Sequence, residues 1–305
     1  MWNFQAPKAD RIDRLLREAK LPGSEWLSRS AFDALIEAGW VSVQGKRVKK
    51  SGEMVAPGQE IAVQLPQLGL LRSEHPAELL WMDPSRKLAL FNKVAGIASY
   101  PLLPWENDTF ANRVATILAE SGTPAEDFAA LAEAPKLEGG LLQRLDRDTS
   151  GILAVALAKE VKAALREAFG AGKFRKTYLA VVAGAPAEGE YSFELRDSGK
   201  VAAKESSAGT TKLMVKKRKS GDGFSLVEIS TAQGSRHVVR ACMAALGKPL
   251  VGDTTYGGSD RAPFHQLHAL SLELLEGRLF PGFPSGLEAP IPQSFLDCLT
   301  KLGID

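Results

Sequence analysis

Two periods of apolar and polar positions alternate along the chain and predict a mixture of helices and strands. A period near 3.6 predicts helices over residues 11–19, 30–38, 110–118, 159–169 and 236–246. Short apolar or alternating runs predict strands over residues 40–43, 88–91, 152–157, 177–182, 224–229 and 267–274. Strands outnumber helices and the two types follow no regular order, so we expect an α+β fold rather than a βαβ winding.

A stretch without a clear period divides the chain. Residues 64–78 hold two prolines and a glycine, a composition typical of a linker. We therefore predict a first domain over 9–65, a linker over 66–78 and a second domain over 79–305. No internal repeat is visible.

Two local details refine this division. Ser30 is the predicted N-cap of the second helix, and Asp33 three residues later completes an arrangement similar to a capping box. Residues 119–139 are acidic and rich in Ala and Pro, which predicts an exposed insertion.

Composition excludes several classes of protein. The 305 residues are 45% hydrophobic and 24% charged, which excludes collagen and disordered chains. Cys242 and Cys298 stand far apart, in no spacing typical of a zinc site or a disulfide framework. The N-terminus has no apolar segment typical of a signal peptide, and no apolar run reaches the ~18 residues of a membrane span. We expect a cytoplasmic protein.

The charges nearly cancel in number but are unevenly placed. The 38 Lys and Arg against 36 Asp and Glu exclude a strongly polycationic nucleic-acid coat. Basic residues concentrate at 46–50, 173–176 and 204–219, while 119–138 and the chain from 271 onward are acidic. Lysines commonly protect edge strands, and charge alone favours that interpretation over phosphate contact.

One string carries a candidate for chemistry. In QRLDRDTSG, residues 143–151, two arginines and two carboxylates alternate just before an apolar run. A salt-bridged turn is the simpler interpretation. The alternative is a carboxylate held charged beside an arginine, ready to act as nucleophile or base.

Further on, Arg236 and Arg240 share a predicted helix face, and His237 between them is more typical of a structural histidine. No glycine spacing indicates a nucleotide site.

Residues 9–65 resemble the small RNA-binding module first described in a protein of the small ribosomal subunit. Two helices, the string SRS, the hairpin GWVSVQGK and the final APGQEI carry the similarity. It implies RNA binding through the second helix and the basic hairpin, that is, through Arg29, Lys46, Arg47, Lys49 and Lys50.

Residues 79–303 resemble the RluA-type family of pseudouridine synthases. The similarity is carried, in matching order and spacing, by the strings FNKVAGIASYP, QRLDRDTSGILAVA, KTYLAVVAG, GSRHVVRACMAALGKPLVGDTTYG and LHALSLE. The resemblance implies a mixed, largely antiparallel sheet and the isomerisation of uridine in RNA, without a metal or other cofactor. We expect ribosomal RNA as substrate, with transfer RNA as the main rival, and a monomer without membrane contact.

The same resemblance implies roles for individual residues. Asp146 is the essential carboxylate, Tyr178 stacks on the target base, and Arg240 pairs with Asp146 and keeps it charged. Arg144 occupies the gap left by the flipped base, and Leu267 packs under that base. Further RNA contacts are expected from Arg147, Lys176 and Arg236.

The chain departs from the family pattern around these residues. Gln143 replaces a usual His, and Ser235, Val238 and Cys242 also replace other usual residues. An RNA-binding assembly factor with lost catalysis therefore stays open as an alternative. An unrelated carboxylate hydrolase is disfavoured, because QRLDRDTSG offers no second carboxylate in an acid/base division.

Overall fold

The computed structural model describes residues 1–64, 70–75, 77–122, 128, 130–131, 137–275, 280 and 282–304. The chain forms two compact units, each built from two segments. The first contains Met1–Pro76 and Tyr100–Gly139, and the second contains Ala77–Ser99 and Gly140–Asp305.

The first unit combines a small sheet with short helices. Its strands are β1 (Trp2–Gln5), β2 (Asp10–Arg11), β3 (Val41–Val43), β4 (Lys46–Arg47), β5 (Met54–Val55) and β6 (Glu60–Val63). Its helices are α1 (Ile12–Glu18), α2 (Arg29–Glu37) and α3 (Phe110–Glu120), with a 3-10 turn at Ser24–Trp26. One sheet has the antiparallel order β1-β6-β3-β4, and β2 pairs with β5.

The apolar positions with helical spacing explain how this unit packs. Leu16 of α1 and Leu35 of α2 are fully buried, in one core with Val41 and Ile61 of the sheet. The turn between β3 and β4 has left-handed backbone at both central positions, as a type I′ hairpin requires, and Gly45 suits one of them.

The predicted cap of α2 is wrong by two residues. Ser28, not Ser30, is the N-cap, and its hydroxyl accepts a hydrogen bond from the backbone N–H of Ala31 at 3.2 Å. Ser28 has the extended backbone that an N-cap needs, whereas Ser30 already lies inside the helix.

The first unit is larger than the predicted range 9–65. Strand β1 lies before that range and pairs with β6. The buried Asn112 of α3 donates to the carbonyl of Leu71 at 2.7 Å, and Thr116 donates to that of Ser73 at 2.7 Å. Part of the predicted linker is therefore hydrogen-bonded to α3, because a buried amide requires partners.

Parts of these predictions lie outside the described residues. They are residue 65 of the first domain, residues 66–69 and 76 of the linker, and residues 123–127, 129 and 132–136 of the insertion.

The second unit is built on one nine-stranded sheet. Its strands are β7 (Glu78–Met82), β8 (Leu88–Lys93), β9 (Ser150–Ala156), β10 (Phe174–Ala183), β11 (Gly189–Ser198), β12 (Lys200–Glu205), β13 (Thr211–Ser220), β14 (Phe224–Thr231) and β15 (Leu267–Leu274). Its helices are α4 (Lys159–Gly170), α5 (Val238–Ala245) and α6 (Gln293–Lys301). The order is β12-β11-β13-β14-β10-β15-β9-β8-β7.

The strand directions confirm the predicted α+β class and place the site. Every described pair in this sheet is antiparallel except β15 with β9. Since parallel strands begin at the same edge, the loop before β9 lies beside Leu267, the first residue of β15. Tyr178 of β10 pairs with Ala269 of β15, next to that edge.

No helix in the described part of the chain is long and apolar enough to cross a membrane.

Candidate active site

A cleft in the second unit collects six of the thirteen site residues that the sequence predicts. The loop before β9, strand β10, the start of α5 and the start of β15 all contribute to its lining. The predicted site residues among that lining are Arg144, Asp146, Tyr178, Arg236, Arg240 and Leu267. The fold thus brings together all three catalytic candidates and three of the predicted RNA contacts.

Arg240 joins Asp146 to a second carboxylate, Asp253. Its Nη1 donates to Asp146 Oδ2 at 2.8 Å, while Nε and Nη2 donate to the two carboxylate oxygens of Asp253 at 2.7 and 2.8 Å. The side chains of Asp146, Arg240 and Asp253 are 21%, 7% and 0% exposed. The bidentate pair with Asp253 fixes the guanidinium plane, and the guanidinium in turn orients Asp146.

The electrostatics of this triad keep Arg240 charged. Burial by itself opposes the charge on the guanidinium, but the hydrogen bonds that Arg240 donates to Asp253 and Asp146 outweigh it and raise the pKa of Arg240. A permanently charged arginine beside Asp146 is the arrangement that the resemblance implied.

A buried lysine fixes the loop that carries Asp146. The ammonium of Lys93, on the last residue of β8, donates to the carbonyls of Val94, Asp146, Arg147 and Thr149 at 2.8 to 3.2 Å. Lys93 is fully buried. Because three of these carbonyls belong to the loop, the lysine holds the backbone around Asp146 in one conformation.

Tyr178 presents a protonated phenol to the cleft. Burial, with a contribution from the negative charge of Asp146, raises the pKa of Tyr178. At neutral pH its ring can therefore stack on a base and its hydroxyl can donate, but it does not carry a charge.

Arg236 lies before the helix and not within it. The predicted helix over 236–246 begins only at Val238, because His237 has left-handed backbone with φ 55°. Arg236 consequently does not share a helix face with Arg240. Its Nη2 donates to Asp197 at 2.6 Å.

The remaining predicted RNA contacts lie outside the cleft lining. Arg147 is exposed and donates to the carbonyl of Gly96 at 2.9 Å. Lys176 is buried and lines a neighbouring cavity that shares Arg144 with the cleft; burial lowers its pKa to about 8. The first unit carries the other candidates, all exposed, namely Arg29, Lys46, Arg47, Lys49 and Lys50.

Some residues of the site were missed from the sequence. Asp253 occurs in the string GSRHVVRACMAALGKPLVGDTTYG and Lys93 in the string FNKVAGIASYP, but neither was predicted to belong to the site. Both are polar residues that the fold buries, Asp253 next to Gly252 and Lys93 at the end of an apolar run. A lone charge directly after an apolar strand was the available signal for Lys93.

A buried histidine just before β15 supports the same loop. His265 Nε2 lies 2.8 Å from the hydroxyl of Thr149, inside the protein. Burial, and next the positive charge of Arg240, lower the pKa of His265 to about 4. The native state therefore holds this histidine neutral at pH values where an unfolded chain would protonate it.

We predict that His265 makes the protein sensitive to mild acid. Its pKa is 6.5 when unfolded and about 4 when folded, so the unfolded chain binds the extra proton as the pH falls through this range. The contribution of His265 to the free energy of unfolding is complete above pH 6.5 and is lost toward pH 4, with a slope of about 1 kcal/mol per pH unit. Urea denaturation at pH 7, 6 and 5 measures this slope. The His265→Gln variant should have a slope shallower by that amount, and equal slopes would contradict the prediction.

The described residues contain no group of three or more His, Cys, Asp or Glu side chains arranged to hold a metal ion. In the cleft, Asp146 is an arginine-bound carboxylate that is partly open to solvent, and such a group can act as an acid, a base or a nucleophile.

Comparison with known proteins assigns the chain to a family. The RNA pseudouridylate synthase family matches residues 88–245, just over half of the chain. "RNA pseudouridine synthase 2, chloroplastic" of Oryza sativa subsp. japonica is 29% identical over 82% of this chain, which spans 65% of the length of that relative. "Ribosomal large subunit pseudouridine synthase D" of Xanthomonas campestris pv. campestris is 25% identical over 97% of this chain and 96% of that protein.

The fold is also known. The chain matches the solved structure of "Human RNA Pseudouridylate Synthase Domain Containing 1" with a TM-score of 0.52 and 22% sequence identity. The match covers 79% of this chain and 92% of the chain in that structure. The chain belongs to the RNA pseudouridylate synthase family, a family of isomerases that act on RNA.

Proposed function

We propose that this protein converts one or more uridines of structured ribosomal RNA to pseudouridine, with Asp146 as the essential carboxylate. The observation that carries the proposal is the contact of 2.8 Å between Arg240 and Asp146, in a cleft that also contains Tyr178 and Leu267. Family membership supplies the reaction class, and the position of Asp146 in the cleft beside Arg240 supports its choice as the carboxylate.

The reaction is an isomerisation that balances within the substrate. The bond between C1′ of the ribose and N1 of the base breaks, the base rotates, and a bond forms between C1′ and C5. The proton lost from C5 is matched by one gained at N1. No oxidant, reductant or water is consumed, so the cleft needs only groups that stabilise charge, hold the base and move a proton.

The cleft suits a nucleotide that has left its helix. In this proposal the target base stacks on Tyr178 and packs against Leu267, and Arg144 fills the gap that it leaves in the RNA. Asp146 then lies beside the anomeric carbon, with Arg240 stabilising its charge. Arg147, Lys176 and Arg236 contact the RNA around the target.

The choice of ribosomal RNA rests on a relative and on the first unit. The Xanthomonas relative, which matches nearly the full length, is named for the large ribosomal subunit. The exposed basic residues of α2 and of the hairpin β3–β4 would supply RNA contacts of the ribosomal-protein type. In this proposal the protein acts as a monomer in the cytoplasm.

Mapping pseudouridines in total RNA tests the proposal directly. A strain that lacks the gene should lose pseudouridine at one or a few positions of ribosomal RNA. The wild-type gene should restore them, and the gene with Asp146→Asn should not. Loss confined to transfer RNA would overturn the choice of substrate. An unchanged map would overturn the enzymatic proposal and favour the assembly factor.

A further inference from the structure

His237 occupies a position that the proposed chemistry has not yet used. It lines the cleft between Arg236 and Val238, and its side chain is 19% exposed. Its backbone has φ 55°, a left-handed conformation that is uncommon outside glycine and that concentrates at functional sites. This conformation begins α5 and turns the imidazole toward Asp146.

Hydrogen bonds to Tyr256 determine which ring nitrogen of His237 carries the proton. The hydroxyl of Tyr256 lies 3.0 Å from the carbonyl of Val201, which can only accept, so the single phenolic proton is donated there. The same hydroxyl lies 3.1 Å from His237 Nδ1 and must accept from it. Nδ1 is therefore protonated, and in the neutral ring Nε2 is a bare acceptor.

The bare nitrogen faces the carboxylate of the proposed catalytic residue. His237 Nε2 lies 3.6 Å from Asp146 Oδ1, too far for a direct hydrogen bond. Burial lowers the pKa of His237 and outweighs the negative charge of Asp146; the positive charges of Arg240 and Arg236 act in the same direction as burial. Two acceptors side by side, one of them anionic, form a site for a hydrogen-bond donor that is brought by the substrate.

The chemistry of the proposed reaction identifies that donor. In a uridine within an RNA chain, the 3′ and 5′ oxygens are phosphodiesters, so the donors of the nucleotide are the base N3–H and the ribose 2′-hydroxyl. Asp146 must lie beside the anomeric carbon. The 2′-hydroxyl is on the neighbouring carbon, whereas N3 is separated from C1′ by two ring atoms.

We propose that His237 Nε2 and the Asp146 carboxylate together accept the 2′-hydroxyl of the target uridine. His237 is then a specificity-determining residue, because this hydroxyl distinguishes RNA from DNA. The inference rests on the proposed function and adds to it the group by which the cleft recognises ribose.

The test compares two substrates that differ in one oxygen. An RNA fragment centred on the mapped uridine is prepared with ribose or with 2′-deoxyribose at that position alone, and kcat/KM for base isomerisation is measured for both. The wild type should prefer ribose. In His237→Phe the ratio of the two kcat/KM values should fall by about 2- to 12-fold, the value of one hydrogen bond. His237→Asn, which tolerates left-handed backbone, should behave in the same way if the Phe variant does not fold.

A second variant separates recognition from simple packing. Tyr256→Phe keeps the ring beside Arg240 but frees the proton of His237 to move to Nε2, so the ribose preference should again fall. Tyr191→Phe is the matched control: it also removes a hydroxyl that donates to a backbone carbonyl, that of Ala187, and the preference should stay at its wild-type value.

The outcomes distinguish the two levels of the proposal. Product formation with no ribose preference in the wild type, or with an unaltered preference in folded His237 variants, would overturn the role of His237 alone. A wild type that forms no pseudouridine in any RNA would overturn the proposed function and this role with it.

Discussion

Replacing Asp146 with Asn is expected to reduce pseudouridine formation at least about 10³-fold. In the wild type, Arg240 Nη1 lies 2.8 Å from the Asp146 carboxylate. The Asn amide has nearly the same shape, and its oxygen can still accept a hydrogen bond from Arg240. The amide carries no charge, however, and can act neither as a nucleophile nor as a base. Single-turnover measurement on the mapped RNA fragment gives the rate of each protein.

The structure also predicts that this variant folds. Arg240 keeps its bidentate pair with Asp253, so no buried guanidinium loses its compensation. The thermal midpoint of Asp146→Asn should therefore stay close to that of the wild type. Asp148→Asn, two residues further along the same string, is the matched control and should keep wild-type activity. Rapid turnover by a folded Asp146→Asn protein would rule out Asp146 as the essential carboxylate.

Replacing Arg240 with Met is expected to destabilise the second unit by about 3–5 kcal/mol, in addition to abolishing activity. The substitution leaves the carboxylate of Asp253, which is 0% exposed, without its bidentate partner. A buried charge without compensation is one of the few causes of so large an effect. Urea denaturation followed by circular dichroism measures the change in the free energy of unfolding.

Two further variants make this result specific. Arg240→Lys keeps the positive charge but offers one point donor, so it cannot reproduce the fork toward Asp253 and the bond to Asp146 together. It should recover part of the stability and little of the activity. Arg218→Met breaks the exposed pair with Glu228 in the same unit and should cost no more than about 1 kcal/mol. An Arg240→Met protein as stable as Arg218→Met would show that the buried triad does not stabilise the fold.

Several elements could be predicted because their signal is local. The seven residues of β9 are all buried, as the unbroken apolar run indicated, and α4 ends at Gly170, one residue beyond its predicted end. In contrast, the strands β11, β12 and β13 were not predicted. The residues of β12 and β13 are largely exposed, so their sequence is polar and basic and lacks an apolar period that would indicate a strand.

The candidate site likewise contains residues that a local string indicates and residues that no string indicates. The strings QRLDRDTSG and GSRHVVRACMAALGKPLVGDTTYG singled out Asp146 and Arg240 through their resemblance to a family. The partners of these residues carried no comparable signal. Asp253 and Lys93 belong to ordinary strings, and only their burial beside Arg240 and the Asp146 loop shows what they do.

The sequence by itself determined the α+β class and the family resemblance, and through that resemblance it singled out Asp146 as the candidate carboxylate, because these inferences depend on residues close together in the chain. The tertiary structure alone decided which groups surround that carboxylate. Arg240 reaches Asp146 across 94 positions, and Lys93 reaches the same loop across 53 to 56. Such contacts form only when distant segments are brought to one edge of the sheet, where a buried charge must find a partner.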